Sequence, residues 1–300
     1  MSGRILVGTA GWSYADWAGR VYPEPRPRGF DELRFLARYL DFLEVNSTFY
    51  RVPTRRTAEE WVRRTAHLRD FVFTAKVHQS FTHGEDGEAG PAEARAFLEA
   101  LAPLREAGRL AALLLQFPWS FRDGPAARRR MALLCERFSG ERLVIEVRHA
   151  SFGTPEAEAY LAALGAGVAD VDMPAAKSNL PPRSRTLGET GYVRLHGRNA
   201  AAWFDREAGR DRRYDYMYSA AEVDEVVRRA RAAAEQAPLT FVVTNNHFRG
   251  QGPANSFMLM ARLLGRPVPV PPDLLRAYPS LAADALPEPP APGTQGTLFG

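Results

Sequence analysis

Polar side chains stand at the ends of seven short apolar runs, where a folded core has no use for them. These positions carry Glu44, Asn46, Lys76, His78, Gln116, Glu146, Arg148, Asp170, Asp172, Arg194, His196, Asn245 and Asn246. Carboxylates, amines and imidazoles transfer protons or attack carbon, and guanidinium groups bind phosphate or carboxylate. If the runs lie side by side as parallel strands, their ends form one polar site. We therefore expect a catalytic or binding site at that edge.

Lys76 is distinctive because arginine has almost replaced lysine in this chain. Of the 39 basic residues, only Lys76 and Lys177 are lysine. An ammonium group can change its pKa on burial, act as an acid or base, or form a Schiff base, and guanidinium does not readily do so. The alternative is an ion pair with Glu44 or Glu146, in a ring of salt bridges that closes a barrel.

Histidine and acidic residues near the strand ends are numerous enough to bind one or two divalent metals. They are His78, His196, His247, Glu44, Glu146, Asp170 and Asp172. A compact ligand motif such as His-Glu-x-x-His is absent from the sequence, so the metal and cofactor content stays open.

The apolar runs alternate with helical patterns, which predicts parallel strands joined by right-handed crossovers. The predicted strands are 5–9, 42–49, 71–77, 110–117, 143–148, 167–172, 192–196 and 240–246. The predicted helices after the first are 55–66, 91–106, 125–138, 155–164, 219–234 and 254–264. Eight strands without a glycine-rich dinucleotide loop favour a TIM-like (β/α)8 barrel in the α/β class. The proline-rich segment after Asp172 predicts that helix 6 is missing or vestigial.

Alternation within the strands predicts which polar residues share a face. The predicted groups are Glu44, Asn46, Thr48 and Tyr50; Lys76 and His78; Glu146 and Arg148; Asp170 and Asp172; Arg194 and His196; Asn245 and His247. The inward face of a small barrel is a filled core, so charged residues on it belong at the mouth. Trp12 and Tyr14 in the first loop, and Trp203 in the basic loop 197–219, add aromatic walls or a flap on the same side.

Length and composition indicate one main domain. The 300 residues, 45% of them hydrophobic, can bury one large core, which we place in residues 1–280. The net charge of +4 modestly favours an anionic small molecule or a nucleic acid as partner. A single cysteine, with no targeting segment and no run of membrane-spanning length, predicts a cytoplasmic protein without membrane attachment.

The carboxyl-terminal segment differs in composition from the rest of the chain. Residues 281–300 are rich in proline and predict a disordered tether. The segment ends in Gln295-Gly-Thr-Leu298-Phe299, which resembles the bacterial sliding-clamp-binding peptide. In that resemblance Gln295 forms hydrogen bonds, and Leu298 and Phe299 fill an apolar pocket of the clamp. A pattern of three fixed positions also arises by chance.

Eight motifs follow one another over nearly the whole folded region. They are Gly8-Thr-Ala-Gly-Trp-Ser-Tyr14-Ala-Asp-Trp17, Glu44-Val-Asn-Ser-Thr-Phe-Tyr50, Phe73-Thr-Ala-Lys76, Phe81-Thr-His83, Leu115-Gln-Phe-Pro118, Glu146-Val-Arg-His149, Val193-Arg-Leu-His-Gly197 and Asn245-Asn-His247. In order and spacing they resemble the YecE-like family, catalogued as domain of unknown function 72. The resemblance implies a TIM-like barrel with these motifs lining its mouth. Ser151-Phe152 departs from the tryptophan expected there but keeps an aromatic residue.

The leading functional hypothesis is an enzyme of nucleic-acid or nucleotide metabolism, a hydrolase or lyase. Lys76, His196 and a carboxylate, Glu44 or Glu146, would perform acid/base or metal-assisted phosphoester chemistry. The expected substrate-binding residues are Trp12, Tyr14, Asn46, Tyr50, His78, Gln116, Arg148, Asp172, Arg194, Trp203, Asn245 and Asn246. One alternative is an enzyme that uses Lys76 as a Schiff-base nucleophile on a small carbonyl substrate. Another is a non-catalytic module that binds sugar or single-stranded nucleic acid.

Overall fold

The structure is a computed structural model. Its main sheet contains nine parallel strands. The described residues are 2–84, 89–182, 186–203, 205, 207 and 209–286. The strands are β1 (Arg4–Ala10), β2 (Phe42–Val45), β3 (Val72–Lys76), β4 (Leu110–Gln116), β5 (Leu143–Glu146), β6 (Gly167–Val168), β7 (Asp170–Asp172), β8 (Thr190–Leu195) and β9 (Leu239–Thr244). Their order in the sheet is β6-β5-β4-β3-β2-β1-β9-β8-β7. The two edge strands, β6 and β7, are separated only by Ala169, so the sheet is a nearly closed TIM-like barrel, as predicted.

Ring closure requires a close approach between β6 and the start of β8. A Cβ atom on Gly167 would lie 2.6 Å from the Thr190 carbonyl oxygen, so only glycine fits there. On the other side of the break, the Ala169 amide donates to the Ile145 carbonyl oxygen at 2.9 Å. The single predicted strand 167–172 is therefore two short strands that pair with different neighbours.

Helices connect the strands and cover the outside of the barrel. They are α1 (Glu32–Leu36), α2 (Ser47–Tyr50), α3 (Arg55–Thr65), α4 (Gln79–Thr82), α5 (Pro91–Glu106), α6 (Pro125–Arg137), α7 (Pro155–Ala163), α8 (Ala200–Trp203), α9 (Arg210–Arg213), α10 (Ala220–Gln236), α11 (Gln251–Leu264) and α12 (Pro272–Ala277). Capping side chains define where several helices begin. Thr54 accepts a hydrogen bond from the Thr57 amide before α3, and Ser219 forms a capping box with Glu222 before α10. The described residues between Asp172 and Thr190 form no helix, which confirms the prediction for helix 6.

Two apolar clusters stabilise the barrel. The larger lies between the strands and the helices, and it includes Leu43, Phe97 and Phe257. The smaller fills the interior of the barrel with side chains that include Phe42 and Phe241. Because the interior is packed with apolar side chains, charged groups on the same face lie beyond it, at the carboxyl ends of the strands.

The prediction of one strand over residues 42–49 is wrong beyond Val45, because the chain enters helix α2 there. The Thr48 hydroxyl donates to the carbonyl oxygens of Val45 and Lys76, at 2.9 and 2.7 Å. Ser and Thr side chains compete with strand hydrogen bonds in this way, which ends the strand early. Tyr50 consequently lies at the mouth of the barrel, 60% exposed, and does not share a strand face with Glu44.

The packed part of the chain extends past the predicted boundary at residue 280. A 3-10 helix covers Pro279–Ala283, and Leu281 is fully buried. Strand β11 (Ala285–Leu286) then pairs with β10 (Val268–Pro269). Gln295, Leu298 and Phe299 of the predicted clamp-binding peptide lie outside the described residues. Within the described part of the chain, every helix is too short or too polar to traverse a lipid bilayer.

Candidate active site

A cavity of about 500 Å³ opens at the carboxyl ends of the barrel strands, a volume that suits a small molecule. The sequence-predicted site residues that line it are Trp12, Tyr14, Asn46, Tyr50, Lys76, Gln116, Arg148, Arg194 and Asn245. These residues come from the ends of seven different strands or the segments that follow them. The barrel thus brings together side chains that are far apart in the sequence.

Arg194, at the end of β8, is the centre of a buried ion-pair network at the base of the cavity. Its Nη2 and Nε donate to the two carboxylate oxygens of Glu44, at 2.6 and 3.2 Å. Its Nη1 donates to Glu146 Oε2 at 3.0 Å and to Gln116 Oε1 at 3.3 Å. The Tyr192 hydroxyl donates to Glu44 Oε2 at 2.7 Å. Both carboxylates are 0% exposed, and charges buried so deeply require such partners.

The second oxygen of Glu146 is held by Arg148. Arg148 Nε and Nη2 lie 2.8 and 2.6 Å from Glu146 Oε1. Burial alone would raise the pKa of Glu146, but the charges of Arg194 and Arg148 outweigh it and hold that pKa well below the ordinary range. Glu146 is therefore ionised and does not act as an acid near neutral pH.

His196 is enclosed in the same network. The Asn245 amide nitrogen lies 3.0 Å from His196 Nδ1, and His196 Nε2 lies 3.2 Å from Arg194 Nη1 and 3.4 Å from Glu146 Oε1. Burial, aided by the charge of Arg148, lowers the pKa of His196 to about 3. The ring is neutral near pH 7, and it does not line the cavity.

Three of the four residues predicted to be catalytic thus lie behind the cavity wall. Glu44, Glu146 and His196 are fully buried, and their polar atoms orient Arg194 and Arg148. This arrangement corresponds to the ring of ion pairs that the sequence left as an alternative. Lys76 is the predicted catalytic residue that reaches the cavity.

Lys76, at the end of β3, has neither of the predicted carboxylate partners. Its side chain is 6% exposed, and its Nζ forms no hydrogen bond or ion pair with the described residues. The nitrogen lies instead 4.0 Å from the centre of the Phe49 ring. Burial lowers the pKa of Lys76 to about 7; Arg194 adds to this effect, and Glu44 and Glu146 oppose it. A substantial fraction of the amine is therefore neutral near pH 7.

The charges around Lys76 explain why its protonation is unfavourable. The guanidinium groups of Arg194 and Arg148 are balanced by the carboxylates of Glu44 and Glu146. A protonated Lys76 adds one buried positive charge that faces the Phe49 ring but has no carboxylate to neutralise it. An anion bound in the cavity would restore the balance.

Aromatic rings form the upper wall of the cavity. Tyr14 stacks on His247, with ring centres 4.5 Å apart and planes 9° from parallel. Tyr214, from the loop predicted to form a flap, lies 5.0 Å from the same ring. Trp203 does not line the cavity; it packs behind it, 6.0 Å from both Tyr214 and His196.

Asp172 lies away from the cavity, so its predicted role in substrate binding is wrong. It shares a strand face with Asp170 as predicted, but this is the outer face, because Val171 between them belongs to the barrel interior. Asp172 accepts from Arg229 and Arg198, both at 2.6 Å. Period-two alternation pairs residues on one face without saying which face points inward.

His78 and Asn246 do not line the cavity; they form hydrogen bonds within the fold. His78 Nδ1 accepts from the Ser80 amide at the start of α4. Asn246 Nδ2 donates to the Tyr216 carbonyl oxygen at 2.8 Å and to Asn255 Oδ1 at 2.9 Å. Both residues follow strands, so their position in the sequence resembles that of true lining residues.

The predicted metal ligands are dispersed. Among the described residues, no group of three His, Cys, Asp or Glu side chains is placed to hold a metal ion. Arginine side chains form ion pairs with the carboxylates of Glu44 and Glu146. Asp170 and Asp172 lie on the outer face of the sheet and pair with Arg229.

Sequence reasoning assigned no role in the site to six residues that line the cavity: Gly11, Ser13, Ser47, Phe49, Trp61 and His83. Phe49 lies on α2, and His83 follows α4 directly. These elements are short helices inserted after β2 and β3, so their residues lie several positions beyond the strand ends. Both residues lie within the motifs Glu44–Tyr50 and Phe81–His83, and these motifs are the sequence signal that points to them.

Comparisons with known proteins agree with the fold and the motifs. The family model described as "Protein of unknown function DUF72" matches residues 6–275. The chain belongs to the DUF72 family. The match covers the barrel and all eight motifs, so the predicted resemblance to this family is confirmed.

Individual DUF72 relatives match over most of their length. The chain is 26% identical over 276 residues to the UPF0759 protein YunF of Bacillus subtilis, covering 86% of this chain and 94% of that protein. It is 30% identical to a DUF72 protein of Thermotoga maritima of known crystal structure, with a TM-score of 0.76 over 87% and 99% of the two chains. A DUF72 structure from Enterococcus faecalis, 23% identical, has a TM-score of 0.75 over 85% and 94%, and it supports the fold alone.

Proposed function

We propose that this DUF72 barrel is an enzyme in which the Lys76 amine attacks the carbonyl carbon of a small anionic substrate. The observation that carries the proposal is a buried, unpaired lysine in the wall of a cavity, with its pKa lowered to about 7. Only the neutral amine has a free electron pair, and desolvation is a known way to obtain it near neutral pH. The alternative that the sequence offered for Lys76 is thus better supported than phosphoester chemistry.

The reaction balances without an oxidant or a metal. The Lys76 nitrogen forms a bond to the carbonyl carbon while the C=O π bond breaks, and the proton lost from nitrogen goes to oxygen. The resulting carbinolamine then loses water to give an imine. A protonated imine withdraws electrons from the neighbouring carbon, so a bond at that carbon can form or break.

Arg148 is suited to bind the negative group of the substrate. Its Nε and Nη2 are fixed by Glu146, and its Nη1 has no hydrogen bond to a described residue. A guanidinium anchored on one edge presents the other edge in a defined direction to a carboxylate or phosphate. Asn46 contributes a buried Oδ1 that lacks a partner among the described residues and can accept a hydrogen bond from the substrate.

The leading hypothesis from the sequence is less well supported by this geometry. It assigned acid/base roles to His196 and to Glu44 or Glu146, and all three lie behind Arg194 without access to the cavity. The proposed recruitment to a sliding clamp through Gln295, Leu298 and Phe299 is independent of this point, and it remains a prediction.

Reductive trapping tests the proposed function. The protein is incubated with pyruvate, glyoxylate or acetone, reduced with borohydride, and digested for mass spectrometry. Since the chain has only two lysines, the label is readily assigned. We expect a label on Lys76 that is lost in Lys76→Met and kept in the matched variant Lys177→Met, whose lysine is exposed. Labelling confined to Lys177 or the amino terminus contradicts the proposal.

A further inference from the structure

His83 borders the same cavity as Lys76 and shares an aromatic neighbour with it. The His83 ring stands edge-on to Phe49 with ring centres 4.9 Å apart, and Lys76 Nζ lies 4.0 Å from the centre of the same Phe49 ring. The amine and the imidazole are therefore no more than about 9 Å apart, with the cavity open to both. Proton transfer takes place at hydrogen-bond distance or through one water molecule, and this upper limit leaves room for a bound substrate with one bridging water to connect the two groups.

The hydrogen bond between Thr82 and His83 is compatible with both neutral tautomers of the His83 ring. The Thr82 hydroxyl, 1% exposed, lies 2.9 Å from His83 Nδ1, and this is its one hydrogen bond with the described residues. A hydroxyl can donate to Nδ1 or accept from it, so Nδ1 has a partner in either tautomer. His83 Nε2, without a hydrogen bond among the described residues, can accordingly carry a proton or accept one.

Imine formation requires a group with this property. The amine must lose a proton as the carbinolamine forms, and the hydroxyl must gain one before it leaves as water. Glu44, Glu146 and His196 do not reach the cavity. His83 lies at the exposed rim of the cavity; partial desolvation there, followed by the positive charge of Lys76, lowers the pKa of His83 to about 4, so its ring is in the neutral form near pH 7.

We propose that His83 transfers the proton between the Lys76 nitrogen and the carbonyl oxygen of the bound substrate. The Nε2 atom takes one proton from the attacking amine and passes it to the carbonyl oxygen, which gives the carbinolamine. It then takes the second proton from the carbinolamine nitrogen and passes it to the hydroxyl, so that water leaves, the imine forms and the ring regains its starting form. Thr82 is a positioning residue in this step. The inference rests on the proposed function of Lys76, but it assigns a separate catalytic residue.

The test separates the rate of imine formation from its extent. Wild-type protein, His83→Ala and the matched control His67→Ala, which removes an exposed imidazole, are incubated with pyruvate. Samples taken over time are reduced with borohydride and the Lys76 label is quantified. We expect His83→Ala to slow labelling by roughly 10²-fold, the usual value of general acid/base catalysis, with the final extent unchanged. Added imidazole should restore much of the rate in His83→Ala.

Each outcome decides a distinct point. Equal rates in His83→Ala and wild type, or a parallel loss of rate and extent that imidazole does not restore, overturn the role of His83 and leave that of Lys76. Absence of a Lys76 label in the wild type overturns both. If His83→Ala does not fold, His83→Gln replaces it, because the amide can keep a hydrogen bond to Thr82 but does not transfer protons.

Discussion

Replacing Lys76 with methionine should stabilise the protein by an amount that depends on pH. Methionine keeps an unbranched side chain of similar length but removes the amine. The pKa of Lys76 falls from 10.5 to about 7 on folding, so the unfolded chain binds the proton more tightly. The cost of burying the lysine is therefore fully present below pH 7, decreases as the pH rises, and disappears above 10.5.

The magnitude follows from about 1.4 kcal/mol for each pKa unit. The pKa of Lys76 differs between the folded and the unfolded chain, and this difference determines how much its replacement stabilises the protein. Lys76→Met should raise the unfolding free energy by about 4–5 kcal/mol at pH 6. At pH 9 the gain falls to about 2 kcal/mol. Packing differences between the two side chains add a constant, so the difference of about 2–3 kcal/mol between these pH values is the quantity to compare.

Urea unfolding at pH 6, 7, 8 and 9 measures this difference directly. Lys177→Met is the control, because Lys177 is exposed and its replacement should change stability little at any pH. A gain for Lys76→Met that is the same at all four values would refute the reasoning. It would mean that Lys76 is solvated or paired in the native protein.

Three further outcomes are expected. Arg194→Met leaves the buried carboxylate of Glu44 without a cationic partner and Glu146 with Arg148 alone, and it should lower the unfolding free energy by about 3–5 kcal/mol, measured by urea unfolding. Arg55→Met, which breaks exposed pairs with Glu59 and Glu106, should cost less than about 1 kcal/mol. Arg148→Met should slow borohydride trapping of pyruvate far more than that of acetone, and equal effects would exclude anion binding at Arg148. The pair of changes Leu298→Ala and Phe299→Ala should abolish capture by immobilised sliding clamp, and equal recovery would remove the link to replication.

The barrel could be predicted from the sequence because its strands and helices have clear periods. Helix α5 was predicted with its observed bounds, 91–106, since Pro91 begins it and apolar residues repeat along one face. The missing sixth helix followed from the prolines after Asp172. The break at Ala169 could not be predicted, because it depends on the approach of Gly167 to Thr190, which are far apart in the chain.

The sequence predicted many residues of the candidate site but not which charged side chains pair with one another. Lys76 was identified from its rarity, and Arg148 and Arg194 from their positions after strands. Which charges neutralise one another depends on the register of non-adjacent strands: Glu44 and Glu146 both reach Arg194, and neither reaches Lys76. That arrangement determines which side chain is free to react, and a single sequence does not contain it.

The most direct test of the account is an NMR titration of the Lys76 side chain in protein labelled at lysine. Two lysine signals are expected from the chain, and the one absent from Lys76→Met belongs to Lys76. The account predicts a titration midpoint about 3 pH units below the ordinary lysine value, near neutral pH. A midpoint above about pH 10, the value of a solvated lysine, would contradict it.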